Sequence, residues 1–259
     1  MIEIKRLSCG YTDQMVLKGM DLCLREEDFA VLAGPNGAGK STLLYAMLGF
    51  ITAQQGSISF YGKDLHRYKR VALAKLIAFV PQESFFEFDY PVAEIVLMGR
   101  YPYLGVMQSW LPEDRLIVDK VLAQLGLESF SKRYFSELSG GEKQQVLIAR
   151  ALAQDTKFIF LDETLSQLDI NHQIEIMNLL REIHLNHGKG VLLISHNLNL
   201  AANYAGKMIF LKDGCVLADG NPKDLMQPQL LRELFGIELQ TMINPLSGMP
   251  NIIYPGKAL

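Results

Sequence analysis

Residues 34–42 read Gly34-Pro35-Asn36-Gly37-Ala38-Gly39-Lys40-Ser41-Thr42, a G-x-x-x-x-G-K-S pattern set between an apolar run at 29–33 and a helix-like run at 43–48. The flanks matter more than the letters, because a buried strand turning through glycines into a helix belongs to α/β architecture. Glycines let the backbone wrap close to an anion. Successive N–H groups then point inward as a nest, and the helix adds its positive N-terminal end. In such a loop Gly34, Asn36, Gly37, Gly39 and Thr42 cradle a polyphosphate, Lys40 reaches its β/γ end, and the Ser41 hydroxyl ligates Mg²⁺. A flexible glycine-rich turn matching by chance is expected in about one chain in a hundred of ordinary glycine content.

The chain has 259 residues, 49% of them hydrophobic, enough to bury a substantial core. Its formal net charge is −3 and its sequence pI is about 6.0, so no basic footprint marks a nucleic-acid binder and no nucleic-acid partner is expected. The first residues mix charge into their apolar alternation and lack a secretory core. No stretch approaches ~18 consecutive apolar residues, so the chain is not expected to span a membrane itself. Cys9, Cys23 and Cys215 stand far apart and are expected to be reduced. His184 and His187 lie three apart before Gly188, which suits a solvated helix C-terminus better than a metal pair.

Short apolar runs at 29–33, 76–80, 158–161, 191–194 and 208–211 suit strands buried on both faces, and the pattern at 174–185 is helical. The expected fold class is therefore α/β with a mainly parallel sheet. Three runs end directly in polar residues: Pro81-Gln82, Asp162-Glu163 and Ser195-His196. Ligands of open α/β sheets bind outside the carboxyl ends of the strands, so these pairs and the glycine loop are expected at one edge. Alternation at 2–7, continued in similar style over 16–25, predicts a small antiparallel sheet near the N-terminus. Lys212-Asp213-Gly214 predicts a hairpin turn. Residues 92–98, 113–125 and 142–152 carry helical spacing without a clear strand and read as a helical insertion, whereas the tail at 240–259 shows little periodicity.

In Phe158-Ile159-Phe160-Leu161-Asp162-Glu163 two carboxylates end a buried strand. Asp162 is placed to hold Mg²⁺ through water, and Glu163 to orient or deprotonate a water attacking a γ-phosphate. Leu138-Ser139-Gly140-Gly141-Glu142 is a second glycine turn opening a helix, with no lysine. In this order and setting the three segments resemble the ATP-binding cassette ATPases over nearly the whole chain.

That resemblance implies a P-loop NTPase core of RecA-like type with an N-terminal antiparallel β subdomain and an inserted helical subdomain. It divides a single domain into a core at 1–84 and 154–235, a helical signature subdomain at 85–153 and a tail at 236–259. Tyr11 matches the aromatic that stacks on adenine. Gln82 matches the glutamine touching Mg²⁺ and the attacking water, His196 the switch histidine on the γ-phosphate, and Asp169 the aspartate at the dimer seam. Ser139, Gly140 and Gly141 of one copy complete the ATP site of a second, so two copies sandwich two ATP molecules head to tail. Two departures stand out: Thr164-Leu165-Ser166 replaces the usual Pro-Thr-Ser, and Gln145 replaces a common arginine.

Residues 95–105, with Met98-Gly99-Arg100-Tyr101-Pro102-Tyr103, residues 168–175 and residues 244–250 resemble ATPase subunits of importers for iron-siderophore, haem and cobalamin complexes. This implies integral-membrane permease partners, indirectly a substrate-binding protein, and a peripheral location on the cytoplasmic face of the inner membrane. Phe85, Phe86, Phe88 and Tyr90 form an aromatic cluster that either packs the helical lobe or receives a helix of the permease. An importer for another solute, a soluble cassette ATPase outside transport, and a non-hydrolysing module are the alternatives.

Overall fold

The computed structural model describes residues 1–12, 14–82, 84, 86–105 and 107–254. In chain order its elements begin with β1 (Ile2–Tyr11), β2 (Gln14–Leu24), β3 (Phe29–Ala33), α1 (Lys40–Met47), β4 (Gln55–Phe60) and β5 (Lys63–Asp64). There follow α2 (Arg70–Ala74), β6 (Ile77–Val80), α3 (Val92–Leu97), α4 (Pro112–Gln124), α5 (Gly140–Ala153), β7 (Phe158–Asp162) and α6 (Ile170–His187). The chain closes with β8 (Gly190–Ile194), α7 (Leu198–Tyr204), β9 (Lys207–Lys212), β10 (Cys215–Gly220), α8 (Pro222–Leu225), α9 (Pro228–Phe235), β11 (Gln240–Ile243) and β12 (Pro250–Ile253). These elements group into two compact units, one of residues 1–68 with 190 onward and one of residues 69–189.

In the first unit β1 pairs antiparallel with β2 and β4, Ile2 facing Leu24 on one side and Phe60 on the other. This is the antiparallel N-terminal sheet that alternation predicts. Beside β3 run β8 and β9, both parallel to it, with Leu32 opposite Ile194 and Ala33 opposite Phe210. Every residue of β3 and β8 is buried, which is why these strands read as continuous apolar runs. Each fully buried Val, Leu, Ile or Phe adds about 1.5–3 kcal/mol of transfer free energy, so this strand triplet anchors the unit. Strand β10 returns antiparallel on β9 through Asp213 and Gly214, both at positive φ, the geometry of a tight hairpin turn.

The tail departs from expectation. Strands β11 and β12 pair as a hairpin with Gln240 opposite Ile253. Asn244 builds its turn, its side-chain oxygen accepting from the N–H of Leu246 at 2.9 Å. Asn199 of α7 docks the hairpin, donating to the Ile252 carbonyl at 3.1 Å and accepting from its N–H at 2.7 Å. A side chain from a distant segment supplies that pairing, so local periodicity is silent about it.

In the second unit β6 and β7 run parallel, Val80 opposite Leu161, and α3 to α5 lie between them in sequence. The insertion is helical, as its spacing predicts. Helix α5 buries Val146, Leu147, Ile148, Ala149, Ala151 and Leu152. Arg100 explains part of the Gly99-Arg100-Tyr101-Pro102-Tyr103 segment. Its guanidinium is buried, donates to Asp114 at 3.0 Å and to the Ala153 carbonyl at 3.0 Å, and stacks 3.9 Å from the Tyr103 ring centre. That part of the segment holds helices together. His184 bonds the Lys189 carbonyl and His187 the Gln124 side chain, and no metal-binding cluster occurs among the described residues. No helix among the described residues is long and apolar enough to cross a membrane.

Candidate nucleotide site

In the first unit the glycine loop leaves β3 and enters α1. Gly34, Gly37 and Gly39 have positive φ, and Gly39 caps α1 at φ 101, where a side chain would be strained and would meet Leu17 at 2.7 Å. The cap carries no side chain and the first turn of α1 no acid, so the positive end of the helix lacks a built-in counter-charge. Lys40 is buried and its ammonium donates to the carbonyls of Gly34 at 2.9 Å and Pro35 at 3.0 Å, which folds the loop around a cation. A nest of amides at a helix start around a buried ammonium fits a polyphosphate. Ser41, next in the helix, supplies the hydroxyl that suits a hard divalent cation.

Because β3 and β8 run parallel in register, His196 leaves β8 at the same edge as the loop. The Ser195 N–H bonds the Leu32 carbonyl at 3.3 Å and fixes that exit. His196 itself is exposed, and Asn197 caps α7 by accepting from the Leu200 N–H. Tyr11 ends β1 half exposed.

The second unit repeats the logic with other residues. Gln82 follows β6 and Glu163 follows β7, and both line one cavity of about 360 Å³ with residues of α5. Asp162 is buried at the strand end. Glu163 is held at φ 47, a left-handed conformation that is costly for a residue with a side chain. Ser166 secures it, its N–H and hydroxyl donating to the Glu163 carbonyl at 3.1 and 2.8 Å. Gln173 ties down the next turn by donating to the carbonyls of Leu165 and Leu168.

Ser139 caps α5 in a reciprocal box: its hydroxyl accepts from the Glu142 N–H at 3.4 Å, and Glu142 accepts from the Ser139 N–H at 2.7 Å. The Ser139 N–H holds the Glu142 carboxyl below the usual range. Gly141 packs where a Cβ would lie 2.1 Å from the His172 ring, so a side chain here would displace that ring. Asp169 caps α6 by accepting from the His172 N–H at 3.0 Å, and its other oxygen bonds His172 Nδ1 at 2.9 Å. The His172 backbone bond lowers the Asp169 carboxyl, and the Asp169 side chain raises the imidazole. Sequence reasoning passed over His172 as a partner of the glycine turn and missed Ser84 and Gln144 on the cavity wall. A polar residue one turn into the glycine-started helix was the available signal for Gln144.

Of the aromatic cluster, Phe86 packs edge-on against Phe135 and Tyr90, while Phe88 is exposed. Phe85 lies outside the described residues.

Comparison with known proteins agrees with this frame. The family model described as "ABC transporter" matches residues 17–166. The achromobactin transport ATP-binding protein CbrD of Dickeya dadantii is 35% identical over 99% of this chain and 95% of its own length. The ferric enterobactin transport ATP-binding protein FepC of Escherichia coli is 31% identical over 98% of this chain and 93% of its own. A solved metal-chelate type ABC transporter in an inward-facing conformation superposes with a TM-score of 0.86 at 29% identity, covering 99% of this chain and 98% of that one. The parallel strands, the antiparallel N-terminal sheet and the helical insertion are therefore those of a P-loop NTPase, and the chain belongs to the ABC transporter family.

Proposed function

We propose that this chain is the ATP-hydrolysing subunit of a membrane importer for a metal chelate such as a ferric siderophore, haem or cobalamin. The observation that carries the ATPase part is the buried Lys40 ammonium wrapped by the glycine loop at the start of α1. The chelate class is supported by relatives aligned over nearly their full lengths whose names state achromobactin and ferric enterobactin transport.

In this proposal Gly34, Asn36, Gly37, Gly39 and Thr42 bind the phosphates through the loop, Lys40 neutralises charge at the γ end, and Tyr11 stacks on adenine. Ser41, Asp162 and Gln82 are the residues that would hold Mg²⁺, which would supply neutralisation of charge on the transferring phosphoryl group. Glu163 takes the proton from the attacking water and His196 orients the γ-phosphate. Ser139, Gly140 and Gly141, with Asp169, serve the ATP bound by a second copy. ATP then favours the closed pair by its differential affinity, and hydrolysis removes that preference. Integral-membrane permease subunits receive the motion at the cytoplasmic face of the inner membrane, and a substrate-binding protein delivers the cargo. Exposed Phe88 suits contact with the permease.

The test is uptake by the chain reconstituted with its copurifying permease. ATP-dependent accumulation of a ferric siderophore, haem or cobalamin is the expected result, whereas transport of an amino acid and none of these chelates would overturn the cargo assignment.

A further inference from the structure

Among the described residues of the second unit, three buried polar atoms have no hydrogen-bond partner: Ser84 Oγ, Gln144 Nε2 and Thr164 Oγ1. All three residues line the same cavity as Gln82 and Glu163. Leaving such groups dry is costly, and native proteins satisfy them with protein or water. A cavity of about 360 Å³, far above the ~10–15 Å³ that one water needs, borders all three residues, and a turn of each side chain would bring its buried polar atom onto water held there. Thr164 directly follows the strained Glu163, and its neighbour Leu165 is also buried, so the turn has one hydroxyl aimed inward where the backbone is held against its preference.

We propose that Thr164 is a positioning residue for Glu163, acting through water molecules bound jointly by Thr164, Gln144 and Ser84. The water cluster braces the 163–168 turn from the side of α5, opposite in role to the Ser166 and Gln173 bonds that brace it through its carbonyls. Gln144 stands on the helix opened by the glycine turn, so the cluster links that helix to the carboxylate. The inference rests on Glu163 as the base.

The experiment compares Thr164→Val, Thr164→Ser, Gln144→Leu and Glu163→Gln in the permease-bound complex, by ATPase kinetics and melting. Valine matches threonine in shape and removes the unpaired hydroxyl, so a group that merely sits buried would leave kcat unchanged and stability equal or higher. The expected result is a kcat lower by about tenfold for Thr164→Val and Gln144→Leu, with KM for ATP within about twofold, melting undiminished, and activity retained in Thr164→Ser. Adding Gln144→Leu to Thr164→Val should cost little more, because both act through one cluster. A high-resolution crystal structure should place ordered water against Thr164 Oγ1 and Gln144 Nε2. Wild-type kcat in Thr164→Val beside an inactive Glu163→Gln would overturn the positioning role alone, as would a cavity without ordered water. Full turnover in Glu163→Gln would overturn both the base and the role built on it.

Discussion

Replacing Arg100 by Met keeps the stem's packing and removes its charge, which isolates the buried ion pair of the helical insertion. Only 9% of the Arg100 side chain and 10% of the Asp114 side chain are exposed, so the 3.0 Å pair is screened little by water. The single variant leaves the Asp114 carboxylate buried without its counter-charge, a change that typically costs about 3–5 kcal/mol. For a chain of this length each kcal/mol lowers the melting temperature by roughly 2–4 °C, giving a fall of about 6–20 °C. Removing both charges in Arg100→Met with Asp114→Leu should cost less. What remains is the lost donor to the Ala153 carbonyl, about 1 kcal/mol, the lost stacking on the Tyr103 ring, about 1 kcal/mol, and the lost Asp114 bond to the Leu111 N–H at the start of α4, about 1 kcal/mol more. Differential scanning calorimetry of the wild type, both singles and the double closes the cycle. A single variant within about 1 kcal/mol of wild type, or a double that costs the sum of the singles, would refute the reasoning.

Gly141→Ala should push the His172 ring off Asp169 and lower ATPase turnover about tenfold, while the same change in a His172→Ala background should cost much less, read by steady-state kinetics. The Asp169–His172 pair also sets a pH dependence. The raised imidazole contributes stability that is fully present below ~6.5 and lost as pH rises through its folded value, and the lowered carboxyl contributes stability present above ~3.9 and lost as pH falls through its own. Melting of wild type minus melting of His172→Ala should therefore be largest near pH 5–6 and shrink toward pH 8.5, with Glu142 and Glu175 adding to the field on the imidazole. A difference that grows with pH would contradict the assignment.

Strands β3, β7 and β8 were legible because burial on both faces writes an uninterrupted apolar run, and the turn at Asp213-Gly214 was legible because few residues tolerate positive φ. The glycine loop was legible for the same backbone reason. What escaped depends on contacts between distant positions. The β11–β12 hairpin leans on Asn199, 53 residues away from Ile252, and the cavity beside Glu163 is assembled from residues near 84, 144 and 164 that share no local pattern. Residues 95–105 resemble chelate-importer ATPase subunits, and within them Arg100 and Tyr103 serve packing, which pairs residues too far apart in sequence to show a local pattern. The strain at Glu163 is likewise invisible in sequence, because glutamate is not a residue that announces a left-handed backbone.

The most direct measurement is the solution mass of the Glu163→Gln variant with and without ATP and Mg²⁺, by light scattering on a size-exclusion column. A chain of 29.1 kDa that binds ATP without hydrolysing it should double its mass when ATP is added and return to the single mass in the Lys40→Ala background. A variant that binds ATP tightly yet stays at 29.1 kDa would contradict the shared-nucleotide dimer.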